Sequence, residues 1–551
     1  ANMEMEGIPR HTEEESQKYL RKRWWSSITL ADLFDKTTDV FWHKEGLVDD
    51  RVRLTYGELR DKVDRLAASF IDMGIEKGDR VLLQLPNWAE YVYTYFALQK
   101  AGAVPVLLLS GHRQLEVTHL CKLTGAKAWV VPEKYRKIDY TSFISQVKKD
   151  NPSLVHVISV RGEKSSKDFT ASLEELMNRP LSPRDKERFE TNRPEPTDVA
   201  HVLPSGGTTG VPKAIPRTHN DYICNVEYLH KGWEMCIHDT CLVAVPVGHN
   251  LALLNVVGSI LVPYKLILLD STRPDDICQV VEREKVTYMP TVPSLIKRIL
   301  DFERLSDFNL TSLKKVSAGA EASTPELIRE FYRKIGCTYI NEFGMSEGLL
   351  CRTRLTDDIE TVCSTVGKPC CPYEVVKIID ENGAELPPNT EGELAVKGPG
   401  IFAGYLKNEE ENKRSFTQDR FFRTGDKALI NEAGYIKIIG RIKDIIIRGG
   451  ENISPAQVEE LLRAHPSIVD AAVIGMPDRE LGERVCAYVV LAEGVDLTAD
   501  QIRVFMEEKG ASKLLIPERF EFVASLPMTE AGKHDKKALR EDIKKKIGWT
   551  G

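Results

Sequence analysis

The sequence predicts an α/β chain in two parts: a large N-terminal domain with mostly parallel sheets flanked by helices, over residues 1–441, and a small α+β C-terminal domain over 442–551. Three observations lead there. Strand-like apolar runs alternate with amphipathic helical stretches, the pattern of parallel sheets covered by helices. At 551 residues the chain exceeds what one ordinary core holds. Finally, a glycine-flanked segment at 440–450 (GRIKDIIIRGG) is followed by a second compact α/β pattern, of a size that suffices for an independent domain.

In chain order, Leu59–Met73 has helical apolar spacing and Asp79–Leu85 reads as a strand. Trp88–Ala101 is again helical, and the apolar Ala103–Leu109 again a strand. Further strand-like runs follow at Ala126–Val131, Val155–Val160, Lys265–Leu269 and Val286–Met289. Residues 178–198, rich in proline and charge, read as a linker into a glycine-rich loop. Beyond the second linker the pattern predicts helix 455–464, strands 469–475 and 485–492, helix 498–509 and strand 518–523.

Composition excludes several classes. The net charge is −7 and no basic, aromatic-rich block stands out, so no nucleic-acid surface is predicted. Eleven scattered cysteines show no CxxC pair and no Cys/His ligand spacing, which predicts reduced thiols in a cytoplasmic protein. The polar N-terminus carries no signal-peptide pattern. The longest apolar run, Leu251–Leu269, is interrupted by Asn255, Pro263 and Lys265; it reads as a core helix followed by a strand, with no membrane span.

The strongest local signal is LPSGGTTGVPK at 203–213. Gly206, Gly207 and Gly210 permit positive φ and close backbone approach, Ser205, Thr208 and Thr209 add hydroxyls, and Lys213 adds a charge. Such a loop can wrap a triphosphate. It is not a Walker A sequence, because Ala214 follows the lysine. Taken alone, the loop is equally readable as a surface turn.

Together with its continuation, AIPRTH, this loop resembles the signature loop of the acyl- and aryl-adenylating superfamily, the group of acyl-CoA synthetases, luciferases and nonribosomal peptide adenylation domains. Four further segments resemble that family's motifs in family order: NEFGMSE at 341–347, FRTGD at 422–426, Gly440-Arg441, and PMTEAGK at 527–533. Within the superfamily, IPRTHNDY at 215–222, GHN at 248–250, FGMSEG at 343–348 and GKP at 367–369 are most similar to stand-alone aryl-acid AMP ligases of siderophore synthesis, such as the 2,3-dihydroxybenzoate-AMP ligases.

The resemblance implies ATP-dependent attack of a carboxylate on the α-phosphorus, release of pyrophosphate, and transfer of the acyl group to a thiol. Two anions must meet, so the site must supply positive charge and fixed donors. On the matched motifs, Ser205, Gly206, Gly207, Thr208, Thr209 and Lys213 would hold the phosphates, and Glu347 would bind Mg²⁺ through hard oxygen ligands. Asn341 and Phe343 would meet adenine, where Gly319 and Ala320 let the backbone approach; Gly344, Met345 and Ser346 complete that turn. Asp426 would accept the ribose hydroxyls with Arg441 in support. Lys533 would be the cation bridging substrate carboxylate and α-phosphate, and Lys443 the hinge about which a mobile C-terminal domain reorients. Gly449 and Gly450 beside it would line the thiol's path or form a plain turn.

The acid pocket implied by the resemblance comprises Asn250, Leu251, Leu254, Val292, Val316, Ala318, Glu342, Leu350 and Cys351, with His249 as a gate beside the carboxylate. Asn250 stands where amino-acid-activating relatives carry an aspartate for the substrate ammonium, so a neutral aryl acid of hydroxybenzoate type is expected. Two residues depart from the dihydroxybenzoate ligases. Asn255 replaces a small serine or cysteine, and Glu342 a small apolar residue. Glu342 either meets a donor on the substrate or pairs with a protein cation such as Arg352. No phosphopantetheine-bearing serine motif occurs, so the thiol must come from a separate aryl or peptidyl carrier protein or from free CoA. The alternatives to carrier loading are an acyl-CoA ligase for aromatic or fatty acids and a non-catalytic nucleotide-sensing scaffold.

Overall fold

The computed structural model describes residues 5–205, 212–448, 451–509, 511, 513–530 and 532–550. A nine-stranded sheet runs Lys368–Pro369, Leu350–Arg352, Thr338–Gly344, Lys315–Ala318, Tyr288–Thr291, Thr240–Val243, Lys265–Leu268, Glu45–Val48 and Arg53–Thr55. From Thr338–Gly344 to Glu45–Val48 neighbours are parallel, and the outer pairs are antiparallel. A seven-stranded sheet runs Ala214–Thr218, Val199–Pro204, Val104–Leu107, Arg80–Leu83, Ala128–Pro132, His156–Val160 and Ala171–Ser172. It is parallel except for its first pair.

Helices Tyr56–Asp72, Ala89–Ala101, His219–Gly232 and Asn250–Leu261 share one apolar core with residues of both sheets. Ala89–Ala101 is buried on every side, as a helix enclosed between sheets must be. A second core fills the outer face of the nine-stranded sheet beneath helices Pro274–Glu284, Pro293–Leu300 and Pro325–Lys334. The two faces of this sheet therefore lie in different cores, which decides what each strand residue can reach.

A four-stranded antiparallel sheet, Val375–Ile379, Gly392–Lys397, Phe422–Ile430 and Ile436–Arg441, completes the large N-terminal domain. After Arg441 a single turn, Ile442–Asp444, leads to Ile446, the first strand residue of a five-stranded C-terminal sheet. In its long hairpin, Ile468–Asp478 with Gly482–Leu491, alternate residues enter two different cores. Ala471, Val473, Val485 and Ala487 pack under helices Pro455–Arg463 and Ala499–Glu508. Ala472, Ile474, Cys486 and Tyr488 pack under Lys536–Lys546.

Three readings of the sequence are revised or extended. The charged stretch 178–198 is not a bare linker. It contains helix Pro183–Thr191, opened by Ser182 and a proline at the first turn, with Asp185 held between Arg179 and Arg188 and Phe189 in the main core. The segment 440–450 read as a second linker contains strand Ile446–Arg448, and strand Glu451–Ile453 and helix Lys536–Lys546 were not predicted; that helix buries only Leu539 and Ile543 of eleven residues, too thin an apolar stripe to register. The run 251–269 divides as expected, into helix Asn250–Leu261 and strand Lys265–Leu268. No helix among the described residues is long and apolar enough to cross a membrane, and all eleven cysteines are free.

Candidate active site

The glycine-rich loop joins two antiparallel strands, Val199–Pro204 and Ala214–Thr218. Gly206, Gly207, Thr208 and Thr209 lie outside the described residues. The base of the loop is clamped: Ser205 N–H donates to the Lys213 carbonyl at 2.8 Å, and Lys213 N–H donates to Ser205 Oγ at 2.8 Å. The Lys213 ammonium pairs with Glu411 at 2.8 Å and lies 4.3 Å from the Tyr405 ring centre. Tyr405 in turn donates its hydroxyl to Glu347 Oε1 at 2.7 Å. Glu347 thus has one oxygen fixed and is only half-buried. Neither Glu411 nor Tyr405 was legible in the sequence, since no periodicity marks either.

The turn carrying Met345, Ser346 and Glu347 is fastened from below by Arg217, which is fully buried. Arg217 donates to Asp221 Oδ1 at 2.7 Å, to Asn225 Oδ1 at 2.6 Å, and to the carbonyls of Ser346 at 2.9 Å and Gly400 at 2.7 Å. Asn225 donates to the Gly348 carbonyl at 2.9 Å. Gly348 has φ +127°, and a Cβ there would lie 2.1 Å from the Gly400 carbonyl oxygen, so glycine is required. The signal missed in the sequence is that Arg217, at the end of strand Ala214–Thr218, meets Asp221 and Asn225, one turn apart on the helix His219–Gly232 that follows.

Asp426 and Arg441 face each other across antiparallel strands, with Arg441 donating to Asp426 Oδ1 at 2.8 Å. Asp426 is 3% exposed, yet its Oδ2 has no hydrogen-bond partner. Burial raises its pKa, against the opposing pull of Arg441. Lys533 closes a tight turn in which Thr529 N–H donates to the Lys533 carbonyl at 2.7 Å. The residue is exposed, and its ammonium feels Arg441, Asp426, Glu321 and Glu347 electrostatically. Loss of surrounding water, then repulsion from Arg441, lowers its pKa. The turn reaches the other domain at Gly111, where a Cβ would lie 1.9 Å from Glu530 Oε2.

His249 occupies the residue before helix Asn250–Leu261 and feels Lys533 electrostatically. Burial, followed by repulsion from Lys533 and His112, lowers its pKa to about 4, so the imidazole is neutral at pH 7. Asn250 accepts a hydrogen bond from the Tyr222 hydroxyl at 2.9 Å on Oδ1, which leaves its Nδ2 as the donating end. Asn341 donates its amide to the carbonyls of Val362 at 3.0 Å and Thr365 at 2.9 Å, leaving Oδ1 as an acceptor. Ala320 takes φ +67°, a strained conformation for a residue with a side chain. Phe343 and Met345 pack partly buried against the main core.

On the acid side, Leu251, Leu254, Leu350 and Cys351 belong to the main core, and Val292 lies between both cores. Val316 and Ala318 do not join them. Both side chains point to the opposite face of the sheet, into the second core with Met289 and Tyr339. The residue between them, Ser317, faces the other way: its Oγ lies 3.1 Å from the Tyr288 hydroxyl, and its side chain acts to lower the Glu342 pKa. A strand shows alternate residues to opposite faces, so Val316 and Ala318 do not share a face with Ser317. Glu342 is 4% exposed with Oε2 unpartnered, and burial pushes its pKa up to about 7. Arg352 lies opposite it in register and lowers that pKa, but forms no ion pair with it. Asn255 donates to the Leu251 carbonyl at 2.9 Å and keeps an unpartnered Oδ1.

The model of the AMP-binding enzyme family matches residues 34–406, and that of the AMP-binding enzyme C-terminal domain matches 457–533. The chain belongs to the AMP-binding enzymes. It is 37% identical over 548 residues to a 2,3-dihydroxybenzoate-AMP ligase of Bacillus subtilis, covering 98% of this chain and 99% of that one. It is 34% identical over 530 residues to a salicyl-AMP ligase / salicyl-S-ArCP synthetase of Mycobacterium tuberculosis, covering 95% and 92%. Among solved structures, the apo form of MbtA from Mycobacterium smegmatis superposes with a TM-score of 0.72 at 33% identity, covering 97% of this chain and 98% of that one. Within the AMP-binding enzymes the chain is a ligase close to the aryl-acid AMP ligases, and ligases of this family use ATP. Every acid-side residue above falls inside the first matched region, and Lys533 is the last residue of the second.

Proposed function

We propose that this AMP-binding enzyme activates a hydroxybenzoate-like aryl acid as its acyl-AMP and passes the acyl group to the phosphopantetheine thiol of a separate carrier protein. In the first half-reaction a carboxylate oxygen attacks the α-phosphorus of ATP and the bond to pyrophosphate breaks. In the second, the thiol sulfur attacks the acyl carbon and AMP leaves.

The observation that supports this reading is that Lys533, from the C-terminal domain, feels Arg441, Asp426 and Glu347 of the large domain electrostatically, beside the Arg441–Asp426 ion pair. A positive charge there can bridge two anions, a carboxylate and an α-phosphate, that otherwise repel. The unpartnered Oδ2 of Asp426 suits a ribose hydroxyl donor. Asn341 Oδ1 would accept from an exocyclic amine, and Ser205 with Lys213 would hold the phosphates once Lys213 leaves Glu411. Neutral His249 adds no charge beside the carboxylate and so gates the acid by shape. Asn250 Nδ2 would donate to an ortho oxygen of the ring.

Glu347 fits Mg²⁺ as one carboxylate held by Tyr405, the kind of site in which substrate phosphates supply further ligands. The metal would neutralise charge on the phosphates. The chain would divide at 441/442, with Lys443 in the connecting turn as the hinge that withdraws Lys533 after adenylation.

The decisive experiment is acid-dependent ATP–pyrophosphate exchange across a panel of aryl acids, followed by thioester formation with a phosphopantetheinylated carrier and with CoA. Exchange with aryl acids and faster loading of the carrier is the expected result. No exchange with any acid would leave a nucleotide-binding scaffold.

A further inference from the structure

Glu342 is hard to account for as scaffold. It is flanked by Ser317, which acts to lower its pKa, and by the backbone of Gly319, where a Cβ would lie 3.6 Å from its Cβ and Cγ. The charged and titratable groups around it are Arg352, Tyr288, Cys351 and Cys370. None is a partner for Oε2. Arg352 is directed elsewhere: one N–H donates to the Leu229 carbonyl, its guanidinium crosses the helix at Gly232, where a Cβ would lie 1.1 Å from it, and its Nε has no partner. A buried carboxyl oxygen without a donor is destabilising, and native proteins keep such groups where something else completes them. Asn255, the other departure from the dihydroxybenzoate ligases, also has an unpartnered buried oxygen, Oδ1, on the helix that begins with Asn250.

We infer that Glu342 reads a neutral hydrogen-bond donor, an amino or hydroxyl group, on the ring of the acid away from the oxygen read by Asn250. The protein would then be selective for amino- or hydroxy-substituted salicylate-type acids over salicylate itself. Glu342 is a specificity residue in this account, accepting the donor on its unpartnered Oε2. The inference rests on the aryl-acid reading above.

The charge state supplies an independent readout. With a pKa near 7 in the empty site, Glu342 is partly protonated at neutral pH, and a donor favours the carboxylate. Binding of the preferred acid should therefore release a proton, so its KM should fall as pH rises from about 6 to 8. An acid lacking the donor should show no such trend.

The test is pyrophosphate exchange by wild type, Glu342→Gln and Glu342→Val with salicylate and its ring-substituted amino and hydroxy derivatives. Wild type should favour one donor-bearing acid over salicylate by at least about tenfold in kcat/KM. Glu342→Val should lower that value about 30- to 100-fold, the range of a hydrogen bond to a charged group, while raising it for salicylate and abolishing the pH trend in KM. Glu342→Gln, which keeps one carbonyl acceptor and the side-chain shape, should fall between. Wild type that exchanges with aryl acids but ranks salicylate level with every derivative overturns this inference alone. So does a Glu342→Val enzyme whose activity falls equally on all acids. A wild type that exchanges with no aryl acid overturns the activation reading and this inference with it.

Discussion

The nucleotide side and the acid side of the cleft handle polar atoms differently. On the nucleotide side the charged groups hold one another: Arg441 pairs with Asp426, Lys213 with Glu411, Tyr405 with Glu347, and Arg217 locks the turn beneath. On the proposed acid side Glu342 and Asn255 each keep an oxygen that has no hydrogen-bond partner among the described residues. The difference teaches that a common ligand can be met by a self-supporting scaffold, whereas a selected ligand is met by groups left incomplete. Asp426 belongs partly to both kinds, since its Oδ2 also waits for a donor.

The largest expected effect breaks the nucleotide side. Lys533→Ala should slow adenylation about a thousandfold, because a unit charge about 4 Å away in an effective dielectric near 20 is worth roughly 4 kcal/mol. Thioester formation from supplied acyl-AMP should survive. Equal loss in both half-reactions, with the protein still folded, would remove the domain-alternation account. The complementary change is Lys443→Pro, which fixes φ in the turn between the domains. Single-turnover assays should find acyl-AMP formed normally and transfer lost.

Glu342→Val should sharpen the contrast on the stability side. The folded pKa of Glu342 is raised to about 7 from an unfolded value near 4.3. Between these values the folded state alone holds the proton, so stability falls as pH rises, by roughly 4 kcal/mol over the window, and is flat above it. Denaturant titrations at pH 5 and pH 8 should show that fall in wild type and a smaller one in the variant. Parallel pH curves would mean that Glu342 is ionised and satisfied in the free protein.

Smaller effects belong to Asn250. Asn250→Leu should lower kcat/KM for ortho-hydroxy acids by up to about tenfold relative to benzoate, the range of one neutral hydrogen bond. Tyr222→Phe should act in the same direction by about threefold, through release of Asn250 Oδ1 and loss of the preferred amide orientation. If Tyr222→Phe left the preference for ortho-hydroxy acids intact, the amide would not be oriented by that bond.

The family was legible from its motifs because the chemistry they would serve tolerates few residue types: a carboxylate for a diol, a lysine for two anions. Periodicity was enough for the strand–helix alternation and for all five elements expected between 455 and 523, because one buried face imposes a period of 2 or 3.6. What the sequence by itself determined is therefore the fold class, the family and the order of the site's parts. Tertiary structure alone decided which face of strand Lys315–Ala318 enters which core, sending Val316 and Ala318 into the second core and Ser317 to the Tyr288 hydroxyl. It alone brought Glu411, Tyr405 and Arg217 to the site and left Oε2 of Glu342 without a partner. The reason is physical: a motif constrains residue type and spacing along the chain, whereas strand parity, desolvation and pairing depend on what the rest of the chain packs against each atom.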